Sequence, residues 1–98
     1  MVNAQQARTQ VTKLLKLRFP ASPVSRVDVQ ESIDSNGQPS LDVWVVFRSR
    51  PPREEMRYAK PRVIDELRSW LSKNADERFP YVTFVSERED RELQHSVT

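Results

Sequence analysis

The chain carries few side chains able to do covalent chemistry. It has no Cys, which excludes a thiolate nucleophile, a disulfide framework and a thiolate zinc site. Its one His, His95, lies in the polar stretch 87–98. A general base must be held within hydrogen-bond reach of its target, so His95 is expected to be a solvated tail residue and not a catalyst. The carboxylates stand mostly as close neighbours: Glu54/Glu55, Asp65/Glu66, Asp76/Glu77 and Glu87/Glu89. Adjacent helix positions point in different directions, so these pairs predict solvated charge and no acid–base dyad. Asp28, Asp34 and Asp42 belong to strand and turn patterns whose alternation does not converge them on a metal. The single Gly, Gly37, excludes the glycine-rich phosphate loops. No enzyme, cofactor or metal is expected.

The cations offer a different chemistry. Sixteen basic residues face fourteen acidic ones, a formal charge of +2. One stretch concentrates the excess: Arg48, Arg50, Arg53, Arg57, Lys60 and Arg62, against only Glu54 and Glu55. Arg makes bidentate contacts to phosphate and stacks on bases, so the stretch is a candidate anion or nucleic-acid site. A solvated loop and helix face is the plainer alternative.

Such residues act only where a fold places them. Ninety-eight residues, 37% hydrophobic and 31% charged, describe one small globular domain. No apolar run approaches the ~18 residues that cross a membrane. The absence of Cys and of a basic-then-apolar leader pattern makes a cytoplasmic location the expectation.

Ala7, Val11, Leu14 and Leu15 follow one helical stripe and predict a helix over 3–19, with Asn3 as N-cap and Pro20 as stop. Val27, Val29 and Ile33 alternate with polar residues and predict a strand over 24–34, which Glu31 marks as exposed or at an edge. Asn36-Gly37 marks a hairpin turn, both residues tolerating positive φ. The next strand covers 40–48, with Leu41, Val43, Val45 and Phe47 on one face and Trp44 and Val46 on the other.

After Arg50-Pro51-Pro52, the stripe Met56, Ala59, Val63, Leu67 and Trp70, widened by Ile64 and Leu71, predicts helical structure over 53–73. Pro61 interrupts it. A short turn followed by a helix starting at Pro61 is preferred over one kinked helix. Asn74 is the expected left-handed stop. A third strand over 80–86 sets Val82 and Phe84 against Tyr81, Thr83 and Val85. From Glu87 the chain reads as a frayed helix or polar tail. Arg-Phe-Pro occurs at 18–20 and 78–80, each time between helix and strand, and is read as shared mechanics in which Phe seals the core edge.

These elements predict an α+β domain over residues 1–86 and a polar tail over 87–98. The order is helix-strand-strand-helix-strand, a three-stranded mixed sheet with two helices packed on one face. Strand 3 runs parallel to strand 2 if the two are neighbours; strand 3 beside strand 1 is the alternative order. The covered face would bury Val27, Val29, Leu41, Val43, Val45, Phe47, Val82 and Phe84. The other face would carry Trp44, Val46, Tyr81 and Val85, an apolar patch of the kind that marks an interaction surface. The tail, with Leu93 and Val97, is the alternative cover.

Two functions compete. In the leading one, a protein partner or a second copy (a homodimer) binds that face or an open sheet edge. In the other, the cation cluster binds RNA. Across residues 5–86 the element order resembles the type II KH topology, which would imply nucleic-acid binding. The KH clamp uses Gly-X-X-Gly. The matching stretch, Tyr58-Ala59-Lys60-Pro61, contains no Gly, so no KH site is carried over.

Overall fold

The computed structural model describes residues 1–95, with His95 as backbone only. The elements are α1 (Ala4–Arg18), β1 (Val24–Ile33), β2 (Pro39–Phe47), α2 (Arg53–Lys73), β3 (Phe79–Ser86) and α3 (Glu87–His95). The class is α+β, with the five expected elements in the expected order and a sixth, α3, in the stretch read as a frayed helix or polar tail. Val97 and the His95 side chain lie outside the description.

Asn3 caps α1 as its residue type predicts. Its side chain accepts from the Gln6 N–H at 2.8 Å, and the Gln6 side chain accepts from the Asn3 N–H at 3.0 Å. Two donors that the first turn leaves without partners are thus satisfied reciprocally. β1 pairs antiparallel with β2, Val27 opposite Val45 and Val29 opposite Val43. In the turn between them only Gly37 takes a positive φ, 77°; Asn36 does not. The Asp34 carboxylate does the remaining work, accepting from the N–H groups of Asn36 and Gln38 at 2.9 and 3.0 Å. β3 lies parallel to β2, Val43 opposite Val82 and Val45 opposite Phe84, and the sheet order is β1-β2-β3. β1 is therefore an edge, as Glu31 suggests.

The break preferred at Pro61 does not occur: α2 runs through it for 21 residues. The apolar stripe keeps phase on both sides of Pro61, and Ala59, Val63, Leu67 and Leu71 are all buried. That burial outweighs one lost hydrogen bond, and Pro61 lies on the exposed side, where the unpaired carbonyl of the preceding turn can be hydrated. The stop is also displaced by one residue. Asn74 has φ −102°, and Ala75 takes the left-handed conformation at φ 58°. Ala75 N–H bonds to the Ser72 carbonyl and Asp76 N–H to the Leu71 carbonyl, at 3.1 and 2.9 Å, a Schellman closure with Ala where Gly is usual.

α1 and α2 cover the first sheet face. Of the residues expected there, Val82 is half-buried and the others are buried. Phe19, Phe47 and Phe84 meet edge-to-face, with centroids 5.3–5.5 Å apart. The two Arg-Phe-Pro tripeptides play different parts. Phe19 sits in this cluster, whereas Phe79 is 36% exposed at the β3 edge. Arg18 pairs with Glu66 across the two helices.

Arg78 is buried at the end of the sheet and donates to the Asp76 carboxylate, with the shortest contact 2.6 Å, to the Val2 carbonyl at 2.7 Å and to Glu31 at 3.0 Å. The Val2 N–H donates back to Asp76 at 3.2 Å. This knot bolts the start of the chain to the α2–β3 passage. It closes contacts more than seventy residues apart in sequence.

Candidate functional site

The register sets out the second sheet face in three rows. Arg26, Asp28 and Gln30 of β1 lie beside Val46, Trp44 and Asp42 of β2. These lie beside Val85, Thr83 and Tyr81 of β3. The four residues expected to form an open patch are divided by α3. Val46 and Val85 are buried, 1% and 5% exposed, Trp44 is half-buried, and Tyr81 remains 44% exposed.

α3 begins with a capping box. The Glu89 N–H donates to Ser86 Oγ at 3.1 Å and the Ser86 N–H to Glu89 Oε1 at 3.3 Å. The helix is held to the sheet by polar contacts. Asp90 is 6% exposed and accepts from Trp44 Nε1 at 3.0 Å, from Arg26 Nη2 at 3.2 Å and from Gln94 at 3.3 Å. Arg50 pairs with Glu89 at 3.5 Å, and Ser25 donates to Glu87. Arg26 also donates to Asp28 at 2.7 Å, and this bond, with the Asp28 and Asp90 charges, raises the guanidinium pKa despite some burial.

Beyond α3 the face stays open as a groove of about 740 Å³, lined among others by Asp28, Asp42, Trp44, Tyr81, Asp90 and Leu93. Leu93 is 46% exposed and Asp42 is exposed. The Tyr81 hydroxyl donates to Asp34 at 3.2 Å. Slight desolvation, that bond and the Asp34 and Asp42 charges raise the Tyr81 pKa. The Asp34 carboxyl is held low by the Gln38 N–H, then by the Asn36 N–H and the Tyr81 hydroxyl, against slight desolvation. Arg8 and Arg26 line the same groove, and Arg26 pairs with both Asp28 and Asp90, so the groove is an apolar and aromatic strip whose negative charge is concentrated at its Tyr81 end, at Asp42 and the adjacent Asp34.

The cation cluster converges only in part. Arg50 turns to α3, and Arg48 follows β2 with its N–H on the Pro23 carbonyl at 3.1 Å. Arg53, Arg57 and Lys60 stand at i, i+4 and i+7 on one flank of α2, while Arg62 falls on the far side. The neighbouring carboxylates take separate structural parts: Glu66 pairs with Arg18, Asp76 with Arg78, Glu89 with Arg50. Among the described residues no group of three or more His, Cys, Asp or Glu could hold a metal ion, and no helix is long and apolar enough to cross a membrane.

Sequence reasoning left α3 open between a frayed helix and a tail, and it missed the Asp90 anchor. Ser86-x-x-Glu89 was the available signal, followed by Glu87, Glu89 and Asp90 in the first turn. It is masked by the want of an apolar stripe.

Comparison with family models, curated proteins and solved structures returns no match. The resemblance to the KH topology therefore rests on element order alone. At Tyr58–Pro61, where a clamp loop would lie, the chain is in the middle of α2.

Proposed function

We propose that the protein is a non-enzymatic interaction module that receives a short basic segment of a partner protein on the open half of the second sheet face. One observation carries the reading: a groove in which Trp44, Tyr81 and Leu93 stand among Asp28, Asp42, Asp90, Arg8 and Arg26, with Asp28 and Asp90 paired to Arg26 and Asp42 in no ion pair among the described residues. Aromatic and aliphatic surface supplies area, and Asp42 with the neighbouring Asp34 favours a cationic side chain at the Tyr81 end. With Val46 and Val85 beneath α3, the remaining strip suits a peptide better than the broad face of a second copy. Nucleic acid is disfavoured by the same carboxylates and by the dispersal of the Arg48–Arg62 cations.

The test is a ¹⁵N titration with a peptide of alternating Lys and Leu, beside sedimentation of the free protein. The expected result is a monomer whose shifts centre on Asp42, Tyr81, Thr83 and Leu93. Asp28→Asn with Asp42→Asn should weaken binding by about tenfold. A concentration-dependent dimer abolished by Tyr81→Ser would favour self-association instead. Absence of shifts at low salt contradicts the proposal.

A further inference from the structure

A second groove, of opposite sign, lies on the other side of β3. α2 turns Ala59, Val63, Leu67 and Leu71 to the core. Its outer flank borders the free edge of β3. There Arg57, Lys60 and Arg68 surround a groove of about 440 Å³ floored by Met56, Ile64 and Phe79. Asp65 is the one carboxylate lining it.

Two of the three cations are placed by ring contacts. Lys60 Nζ stands 5.2 Å from the centroid of the Phe84 ring, and the Arg68 guanidinium carbon 4.9 Å from that of Phe79. A ring face orients a cation without neutralising it, so the charge stays available and little rotamer freedom remains to be lost on binding. Arg18, Arg26, Arg50, Arg78 and Arg88 each hold a carboxylate within 4 Å, whereas Arg57, Lys60 and Arg68 hold none among the described residues.

We infer that this groove docks an acidic amphipathic segment of a partner protein. Arg57 and Arg68 are eleven positions apart, about 16 Å along the helix axis, so they can reach carboxylates roughly three turns apart on the partner. Ile64, between them, and Met56, next to Arg57, are half-buried and receive its apolar side chains. A nucleic acid fits less well. The floor is largely aliphatic, Arg68 already occupies a face of Phe79, and the neighbouring Tyr81 is tied to Asp34. The inference stands independently of the second-face reading, and the two grooves would make the module an adaptor between segments of opposite charge.

The experiment is a ¹⁵N titration of the whole chain at low salt with three probes. They are a three-turn peptide of Glu and Leu at helical spacing, its counterpart with Lys for Glu, and oligothymidylate. The expected result is that the Glu peptide shifts amides of residues 56–68 and Phe79. Arg57→Ala with Arg68→Ala, both exposed positions, should weaken it by about tenfold, while Arg62→Ala on the far side leaves it unchanged. A dispersed spectrum confirms that the double variant is folded. The inference is overturned if oligothymidylate or the Lys peptide binds this groove as tightly. It is equally overturned if the Glu peptide maps to the second face, gives no shifts, or binds the double variant as it binds wild type.

Discussion

The two faces of the sheet are covered by helices of opposite character. On the first, α1 and α2 press Val, Leu and Phe side chains into a continuous core that includes Phe19, Phe47 and Phe84. On the second, the most buried of the described side chains that α3 contributes is a carboxylate, Asp90. Apolar burial is non-directional and accrues with area. Hydrogen bonds to charged groups are directional, contribute roughly 1.5–3 kcal/mol each, and strand a buried partner when one member is lost. The difference teaches that the two covers are held by different forces. The first face sets stability, and the second holds a polar-fastened cover beside an open groove.

The largest expected effect lies on the first face. Phe47→Ala removes a fully buried ring that touches both other Phe of the cluster, and should cost about 4–5 kcal/mol in urea unfolding. A loss no larger than that of a comparable change under α3 would break the comparison.

Next comes the knot at the end of that face. Asp76→Ala leaves the Arg78 guanidinium buried without its closest anion and should cost on the order of 3 kcal/mol. Hydrogen bonds from Arg78, above all, hold the Asp76 carboxyl at about 2, below its ordinary 3.8. Because the folded value is the lower one, this stabilisation is complete above pH 3.8 and is lost as pH falls through about 2. Thermal melts across that window should fall more steeply for wild type than for Asp76→Ala.

On the second face the effect is smaller and local. Asp90→Ala removes the partner of Trp44 Nε1 and of Arg26. It should free α3 at a cost of about 2 kcal/mol while α1, α2 and the sheet stay folded. A red shift of Trp44 emission with unchanged near-core NMR shifts is the expected signature. The smallest effect is a gain: Ala75→Gly relieves the left-handed strain at the end of α2 and should raise stability by about 0.5–1 kcal/mol in the same urea assay.

The first face was legible because its signal is periodic. The strides of Ala7, Val11 and Leu14, and the alternation of Leu41, Val43 and Val45, report burial directly, and Asn3 announces its own helix. What was not legible depends on meeting in space. The Asp76–Arg78–Val2–Glu31 knot joins three separate segments, and no local pattern encodes it. α3 has almost no apolar residue to reveal its orientation, so the sequence left it between a frayed helix and a tail, and left the cover of Val46 and Val85 as an alternative to an open patch. The dispersal of the cations was partly readable, since Arg57 and Arg62 cannot share a helix face. The path of Arg50 to Glu89 was not, because it needs α3. At Pro61 the tertiary burial of α2 decided against the local preference.

Native-state hydrogen exchange tests most directly whether the two faces are held in these different ways. With increasing subdenaturing urea, amides of α3 should exchange through an opening that exposes little surface and lies well below the free energy of global unfolding, while those of α1, α2 and β2 exchange only with the whole molecule. Exchange of α3 at the same free energy and with the same urea dependence as β2 would contradict the account, because it would make α3 part of the core and not a cover upon it.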